Sequence, residues 1–528
     1  MSVLSLRDIL FVCICTLIHY TYRHRRRPIL PYPPGLPRWP IVGNAFSFPL
    51  TYMHVFFKKL GDRLGTKIVY MEALGRQFIV LNDVRMAKDL LEKRSELYSS
   101  RPAFPMLLEV CVGFPHLVKS LFGTMPYGDE WRSHRRIFQQ YFSPKNHYRV
   151  EERAMEFVRK GLLPSLFKTP QDVHGHVRSC MGGFSTSLTY GLPIHCHGDP
   201  LVLFAEDVFT KLALAGAPGK YLVNLIPQLK HIPDWMPGTD FKRAAHEAHD
   251  QAARLLEEPF QEMQNKMDEG TLSDCFVLES LDRNQSRPDF ELQTQHIKQT
   301  AMQIYGVLAA ASETTVAATM TFILAMLICP DVQRRAQQEL DSVVGTDRLP
   351  DFSDKPNLPY LSAIIKEVLR WNPATPMGVP HLTTDEDVYE GYYIPKGCII
   401  FANSYAMLHD ETIFPSPTEF KPERFIKNGI ISDDVPDPES VATFGFGRRV
   451  CPGSDVALSL IYITAASILA AFDILPALDE KGDPIKVVPE FISASLISEP
   501  LPFKCKFTPR QGKDVEGLLK EYLNFVVI

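Results

Sequence analysis

The longest unbroken pattern along the chain runs from Glu291 to Cys329, without proline and with a single glycine, Gly306. It predicts one helix of roughly 58 Å at 1.5 Å per residue, ended by Pro330. From Ile304 onward the stretch is apolar enough to suggest a membrane span. Glu313, Thr314, Thr315 and Thr319 in its middle argue against lipid exposure and for a helix buried inside the protein. Shorter alternating patterns predict hairpins at Lys67–Leu81, turning at Gly75, and at Tyr389–Gly397. A helix is predicted to start near Tyr127, with Asp129 as its cap; Trp131 and Arg135, four apart, share one face of it. Glu367 and Arg370, three apart, share another helical face, where the default reading is a solvated ion pair. The length patterned in this way is mainly α, with two short hairpins.

The first residues follow a different rule. An apolar run from Ile9 to Ile18, extended to Tyr22, is followed by Arg23-His-Arg-Arg-Arg27. The run is short of the ~20 residues of a full span. Charges placed after it favour a signal anchor with the remainder of the chain on the cytosolic side; a monotopic interfacial segment is the alternative. Pro31-Tyr-Pro-Pro-Gly-Leu-Pro37 then reads as a stiff spacer.

Composition narrows the class. The chain has 528 residues, 45% hydrophobic, with a formal net charge of -5. That is ample for a large core and argues against nucleic acid as a partner. Ten cysteines lie scattered without a framework, which fits a reducing compartment. His195-Cys-His197, with His174 and His176 upstream, lacks the paired spacing of structural zinc sites and reads as a polar loop. Asn284-Gln-Ser286 is a glycosylation sequon that a cytosolic domain would not use. No internal repeat is present.

The distinctive chemistry lies in Phe444-Gly-Phe-Gly-Arg-Arg-Val-Cys-Pro-Gly453, extended to Ala457. It places one cysteine on a tight loop ahead of a helix. Gly445, Gly447 and Gly453 supply backbone freedom, Pro452 stiffens the turn, and nearby amides can donate to the sulfur. A lone cysteine is usually a small buried hydrophobe. Here the whole spacing, Phe-x-x-Gly-x-Arg-x-Cys-x-Gly-x-x-x-Ala, resembles the haem-binding signature of the cytochrome P450 family.

Further motifs follow the same resemblance from about Trp39 to Arg510. Ala310-Ala-Ser-Glu-Thr-Thr315 is similar to the family's oxygen-activating motif, with Ala311 in place of the usual glycine. The resemblance implies a cytochrome P450 fold: a large helical domain with a small β-rich lobe, preceded by an N-terminal membrane anchor. It divides the chain into an anchor with its basic flank (1–27), a hinge (28–38), the haem-thiolate domain (39–510) and a tail (511–528). It implies Cys451 as the axial ligand of haem b iron. Arg449, Trp131, Arg135, His381, Phe444 and Gly445 become further haem contacts, with a plain strand residue the competing reading of His381. Thr314 and Glu313 are implied as the hydroxyl and proton relay. Glu367, Arg370 and Arg424 of Pro422-Glu-Arg-Phe425 would form a buried structural network. Phe104, Ala310, Ala311, Ala374, Met377, Val379 and Leu496 are implied as substrate contacts, ordinary core packing being the alternative for each.

The activity so implied is monooxygenation of a lipophilic small molecule by O2. Electrons would come from NADPH through a separate cytochrome P450 reductase, with cytochrome b5 as an additional candidate; Arg132 and Arg136 are candidates for docking an acidic partner. The expected location is the endoplasmic reticulum membrane with the catalytic domain in the cytosol. An oxygen-independent isomerase or dehydratase, and a non-catalytic haem protein, are the rival readings. Ala217 to Arg243, punctuated by proline, sits where the family's access loop would touch the membrane. With the downstream pattern it resembles a fungal secondary-metabolism branch with O-methylsterigmatocystin oxidoreductase-like enzymes and tryptamine hydroxylase. That resemblance implies a terpenoid, polyketide or indole-type substrate.

Overall fold

A computed structural model describes residues 30–106, 123–216, 220–310, 312–493 and 496–528. The N-terminal anchor segment lies outside these residues. After the proline-rich spacer come α1 (Met53–Leu64) and the hairpin β1 (Ile68–Ala73) and β2 (Arg76–Leu81). Helices α2 (Asp129–Tyr141), α3 (Val173–Tyr190), α4 (Pro200–Gly216) and α5 (Asp240–Asp268) follow. The centre is built by α6 (Phe290–Ala310), α7 (Ser312–Ile328), α8 (Pro330–Val343) and α9 (Pro359–Trp371). The chain then forms β3 (His381–Leu382), β4 (Ile399–Ala402), α10 (Ser454–Ala471), β5 (Phe472–Pro476) and β6 (Cys505–Pro509).

One mixed sheet has the order β1-β2-β4-β3. β1 pairs antiparallel with β2 from Ile68↔Leu81 to Ala73↔Arg76, around the turn where Leu74 and Gly75 both take positive φ. β4 adds in parallel, Phe78↔Ile399 to Leu81↔Ala402, and β3 closes the edge. Two hydrophobic clusters flank this sheet. A larger one binds the helices, with α3, α6, α7 and α10 at its centre. The hairpin expected near Tyr389 forms as well, Asp387–Tyr389 against Tyr392–Ile394.

Three expectations change. The 291–329 stretch is described as two helices, α6 and α7, and residue 311 between them lies outside the described residues. Pro330 opens α8 rather than merely ending a helix: the axis bends by 105° there, and a proline at the first helical turn loses no hydrogen bond. Asp129 is the first residue of α2, not its cap; Gly128 precedes it, and the Asp129 carboxylate pairs with Arg132. The helix apolar enough to cross a membrane among the described residues is α10, and it is mostly buried inside the fold. Asn284 of the sequon is buried and donates to Ser280 O.

Glu367 on α9 is fully buried, and so is Arg370 one turn on. Arg370 meets both carboxylate oxygens, Nε to Oε2 at 2.7 Å and Nη2 to Oε1 at 2.9 Å. Arg424 Nε reaches the same carboxylate at 3.1–3.2 Å, and the Lys421 amide donates to it at 2.8 Å. The remaining donors of Arg370 take the carbonyls of Leu408, Pro417 and Glu419. One carboxylate thus ties α9 to the 408–424 segment that leads into the cysteine loop. Glu367→Ala should cost about 3–5 kcal/mol by leaving buried guanidiniums uncompensated, measurable as a lowered midpoint in urea unfolding. Glu367→Gln, which keeps the shape, should lose less.

Candidate functional site

The loop carrying Cys451 is closed by its own backbone. The Cys451 amide donates to Phe444 O at 2.8 Å. Gly445 and Gly447 take φ of 80° and 56°. A Cβ on Gly447 would sit 2.3 Å from Leu91 O, so this glycine is required by both conformation and space. Gly453 differs: its φ is -97° and nothing lies within 4 Å of an added Cβ; it precedes α10 as N-cap. Burial pushes the Cys451 thiol up, while the Gly453 backbone and the Arg135 guanidinium pull it back down.

Around the loop the structure gathers positive charge. Arg449 is buried and donates to Ser99 O at 2.7 Å and Met125 O at 2.5 Å, with its guanidinium 4.5 Å from the Trp131 ring centre. Arg135, on the Trp131 face of α2, donates to Val450 O at 2.8 Å. His381 on β3 is buried, its Nδ1 donating to Tyr98 O at 2.7 Å. A fourth group was not assigned a role from sequence. Arg101 is buried and donates to Val379 O at 2.7 Å, Pro380 O at 2.9 Å and Gly123 O at 3.2 Å. Its signal was present in Ser99-Ser-Arg-Pro102, one cation inside an otherwise apolar stretch.

These groups disfavour one another's charge. Burial pushes Arg101 well below its usual range, and the nearby Arg449 adds to the effect. Burial, then Arg135, lowers Arg449 to about 9. His381 is driven down by burial, by Arg101 and by Arg449. Carbonyl dipoles satisfy the N–H groups of Arg101 but carry no net charge. A ligand with two carboxylates beside the Cys451 thiol is the chemistry that this donor set fits.

Other positions fall on separate elements. Thr314 stands half-buried near the start of α7. Ala311, and the side chains of Ala310 and Glu313, lie outside the described residues. Ala374 lies at a junction that sequence reasoning missed, and Leu496 comes two residues before it on the Ser498 side. Asn372 donates to Thr321 Oγ1 on α7 at 3.1 Å and to Ser498 O at 3.3 Å, and Ser498 N donates to Ala374 O at 2.8 Å. Met377 is buried with Phe57, Phe78 and Phe401, a place in the sheet core. Val379 is 40% exposed and offers its carbonyl to Arg101. Phe104 packs against the main helical core. His176 and His197 bond Thr169 and Ser165, each a local partner.

Comparison with known proteins gives a consistent result. The family described as Cytochrome P450 matches residues 33–507. Cytochrome P450 monooxygenase ple1 of Rhodocybe pseudopiperita is 41% identical over 492 residues, covering 92% of this chain and 91% of the relative. Cytochrome P450 monooxygenase 98 of Postia placenta is 37% identical over 514 residues, 96% of each. Tryptamine 4-monooxygenase of Psilocybe cyanescens is 35% identical over 493 residues, 92% of this chain and 94% of the relative.

The two loop glycines should respond differently to a methyl group. Gly447→Ala combines positive φ with a backbone clash and should lower stability by about 1–3 kcal/mol. Gly453→Ala should stay within about 1 kcal/mol of the parent. Thermal unfolding of both variants checks the order.

Proposed function

The chain belongs to the cytochrome P450 family and is an oxidoreductase; from that premise we propose that it hydroxylates, or otherwise oxidises with O2, a lipophilic fungal secondary metabolite of terpenoid, polyketide or indole type. The observation that carries the reading is the cysteine loop set beside buried cations that need an anionic ligand. Haem b has that form: an iron for the thiolate and two propionates for the cations.

Cys451 would ligate the iron, and Arg101, Arg449, Arg135, Trp131 and His381 would hold and orient the propionates. When bound, the haem supplies dioxygen binding and O–O cleavage, which thiolate ligation favours. The protein's share is positioning, exclusion of water and proton supply. Arg135 would favour the charged sulfur, partly opposing the burial that pushes the Cys451 thiol up. Thr314 Oγ1 would hold and pass on a proton, with the Glu313 carboxylate as its source. Asn372 and Ser498 would fix the Ala374 and Leu496 loops against α7 as part of the substrate wall.

The electrons would come from NADPH through a cytochrome P450 reductase, or through cytochrome b5, with the exposed Arg132 and Arg136 of α2 available for docking. Residues 1–27 would anchor the chain in the endoplasmic reticulum membrane. Exposed Trp39, Phe46 and Trp235, at 68%, 86% and 81% of their full surface, support a second contact with the bilayer. The branch resemblance and the tryptamine-acting relative support the substrate class.

Two measurements test this. The carbon-monoxide complex of the reduced membrane-bound protein should show the red-shifted thiolate band, and Cys451→Ala should abolish it. If the band is absent from the parent protein, or unchanged in the variant, haem-thiolate binding is wrong. Thr314→Ala should keep the band while product formation falls about 10²-fold or more relative to NADPH consumed. Unchanged coupling would remove Thr314 from the proton path.

A further inference from the structure

From Arg510 onward the chain has a firm root and a lightly held tip. Arg510 and Lys513 both pair with Asp341, each at 2.7 Å. Val515 and Leu519 of the short helix α11 (Val515–Leu519) are buried in the main helical core. Beyond Leu523 the side chains stay largely in water: Phe525, Val526 and Val527 keep 40%, 68% and 40% of their surface. The tip is held by its backbone instead. Ile194 and Ile528 exchange two backbone hydrogen bonds at 2.9 Å, and the Cys196 amide donates to Val526 O at 2.9 Å. His195 and Val527 lie opposite each other between these pairs. Lys168 Nζ donates to Leu523 O, and Ile528 Cδ1 would lie 3.2 Å from a Cβ on Gly161. A segment that rests on exposed backbone bonds with little apolar burial opens at low cost.

The loop it clasps leads straight into α4. The His195 amide donates to Asp199 Oδ2 at 3.0 Å, while Asp199 Oδ1 takes the amides of Leu201 and Val202 at 2.9 and 3.3 Å. One buried carboxylate thus joins the clasped loop to the first turn of α4. From there α4 lies across α6, with Tyr305 Oη donating to Leu201 O at 2.6 Å. The last turn of α4 is bonded as well. Asn224 Nδ2 donates to Ala215 O at 2.8 Å, and Asn224 Oδ1 accepts the Met106 amide at 2.9 Å. Met106 stands two residues from Phe104, a candidate substrate contact. α4 is therefore a rod of about 25 Å, joined at one end to the tip and at the other to the 104–106 segment.

We propose that residues 524–528 are a releasable strap. Clasped, they hold the start of α4 and slow the passage of ligands to and from the haem site; released, they let α4 shift and quicken both directions. The proposal rests on the haem-thiolate reading above and adds a control to it. A gate of this kind has no preference between bound and free ligand, so it changes rates and leaves affinity alone.

The test uses the membrane-bound holoprotein, its thiolate band recorded first. 4-Phenylimidazole is the probe for stopped-flow binding, and hydrogen exchange is followed across α4. Deleting residues 524–528 should speed exchange in α4 and raise the association and dissociation rates of the probe by about tenfold, with its dissociation constant unchanged. His195→Cys combined with Val527→Cys sets the opposite state, in a Cys196→Ser background that removes the neighbouring thiol. The two cysteines face each other as a non-hydrogen-bonded antiparallel pair, whose Cα atoms typically lie about 4.5 Å apart, within the reach of a disulfide. The oxidised variant should exchange and bind more slowly than the parent, and a phosphine reductant should restore both. Parent-like rates in the deleted and the oxidised variants, with the band intact, overturn the inference and leave the tip a packing element. If the deletion loses the band, the oxidised and reduced forms of the cysteine variant decide alone. Weaker affinity in place of faster rates would reveal a damaged site and equally overturn the strap, as would failure of the two cysteines to join. Absence of the band from the parent protein overturns the haem-thiolate reading instead, while exchange in α4 still reports on the clasp.

Discussion

Glu367 carries the charge of two guanidiniums out of water, and the lower half of the molecule is arranged around that fact. A buried carboxylate is tolerated only when its oxygens are filled. Here Arg370, Arg424 and the Lys421 amide fill them. Because Arg370 also takes three carbonyls from the 408–419 segment, the network sets a stretch of irregular chain that has little secondary structure of its own. The cysteine loop follows after a short hairpin and one helical turn.

A second set of buried charges is handled in the opposite way. Burial and the nearby Arg449 lower Arg101, burial and Arg135 lower Arg449, and the bonds of Arg101 run to carbonyl oxygens. Where the first network has a carboxylate at its centre, Arg101 of the second meets carbonyl oxygens. Carbonyl oxygens orient a guanidinium without cancelling its charge, so the cluster stays directed toward an anion. That difference separates scaffold from site by physics rather than by motif. Gly447 is confined to glycine while Gly453 is not, because of these two only Gly447 presses its backbone against another segment, at Leu91.

Close backbone approach recurs among the helices. Gly182 accepts Val202, and Gly306 accepts the ring of Phe209. Together with the Tyr305–Leu201 hydrogen bond, these contacts seat α4 across α3 and α6.

By itself the sequence determined what depends on local spacing. The helical period marked α2 and the long central stretch, alternation marked the β1–β2 hairpin, and the cysteine loop carried its own signature. Each signal lies within a few residues or repeats regularly, so it survives without any knowledge of the fold. Tertiary structure decided what depends on residues far apart in the chain. Arg101 reaches Val379 across 278 positions, and Asn372 reaches Ser498 across 126; no local pattern announces either meeting. Met377 shows the same limit from the other side, since only the position of the sheet makes it a core residue with Phe57 and Phe401. Asp129 is not a cap because the helix begins one residue earlier than its pattern suggests, with Gly128 at the N-cap position and Asp129 in the first turn, paired with Arg132. Sequence names the groups capable of chemistry; which of them are pressed together, and with what charge left over, is settled by packing.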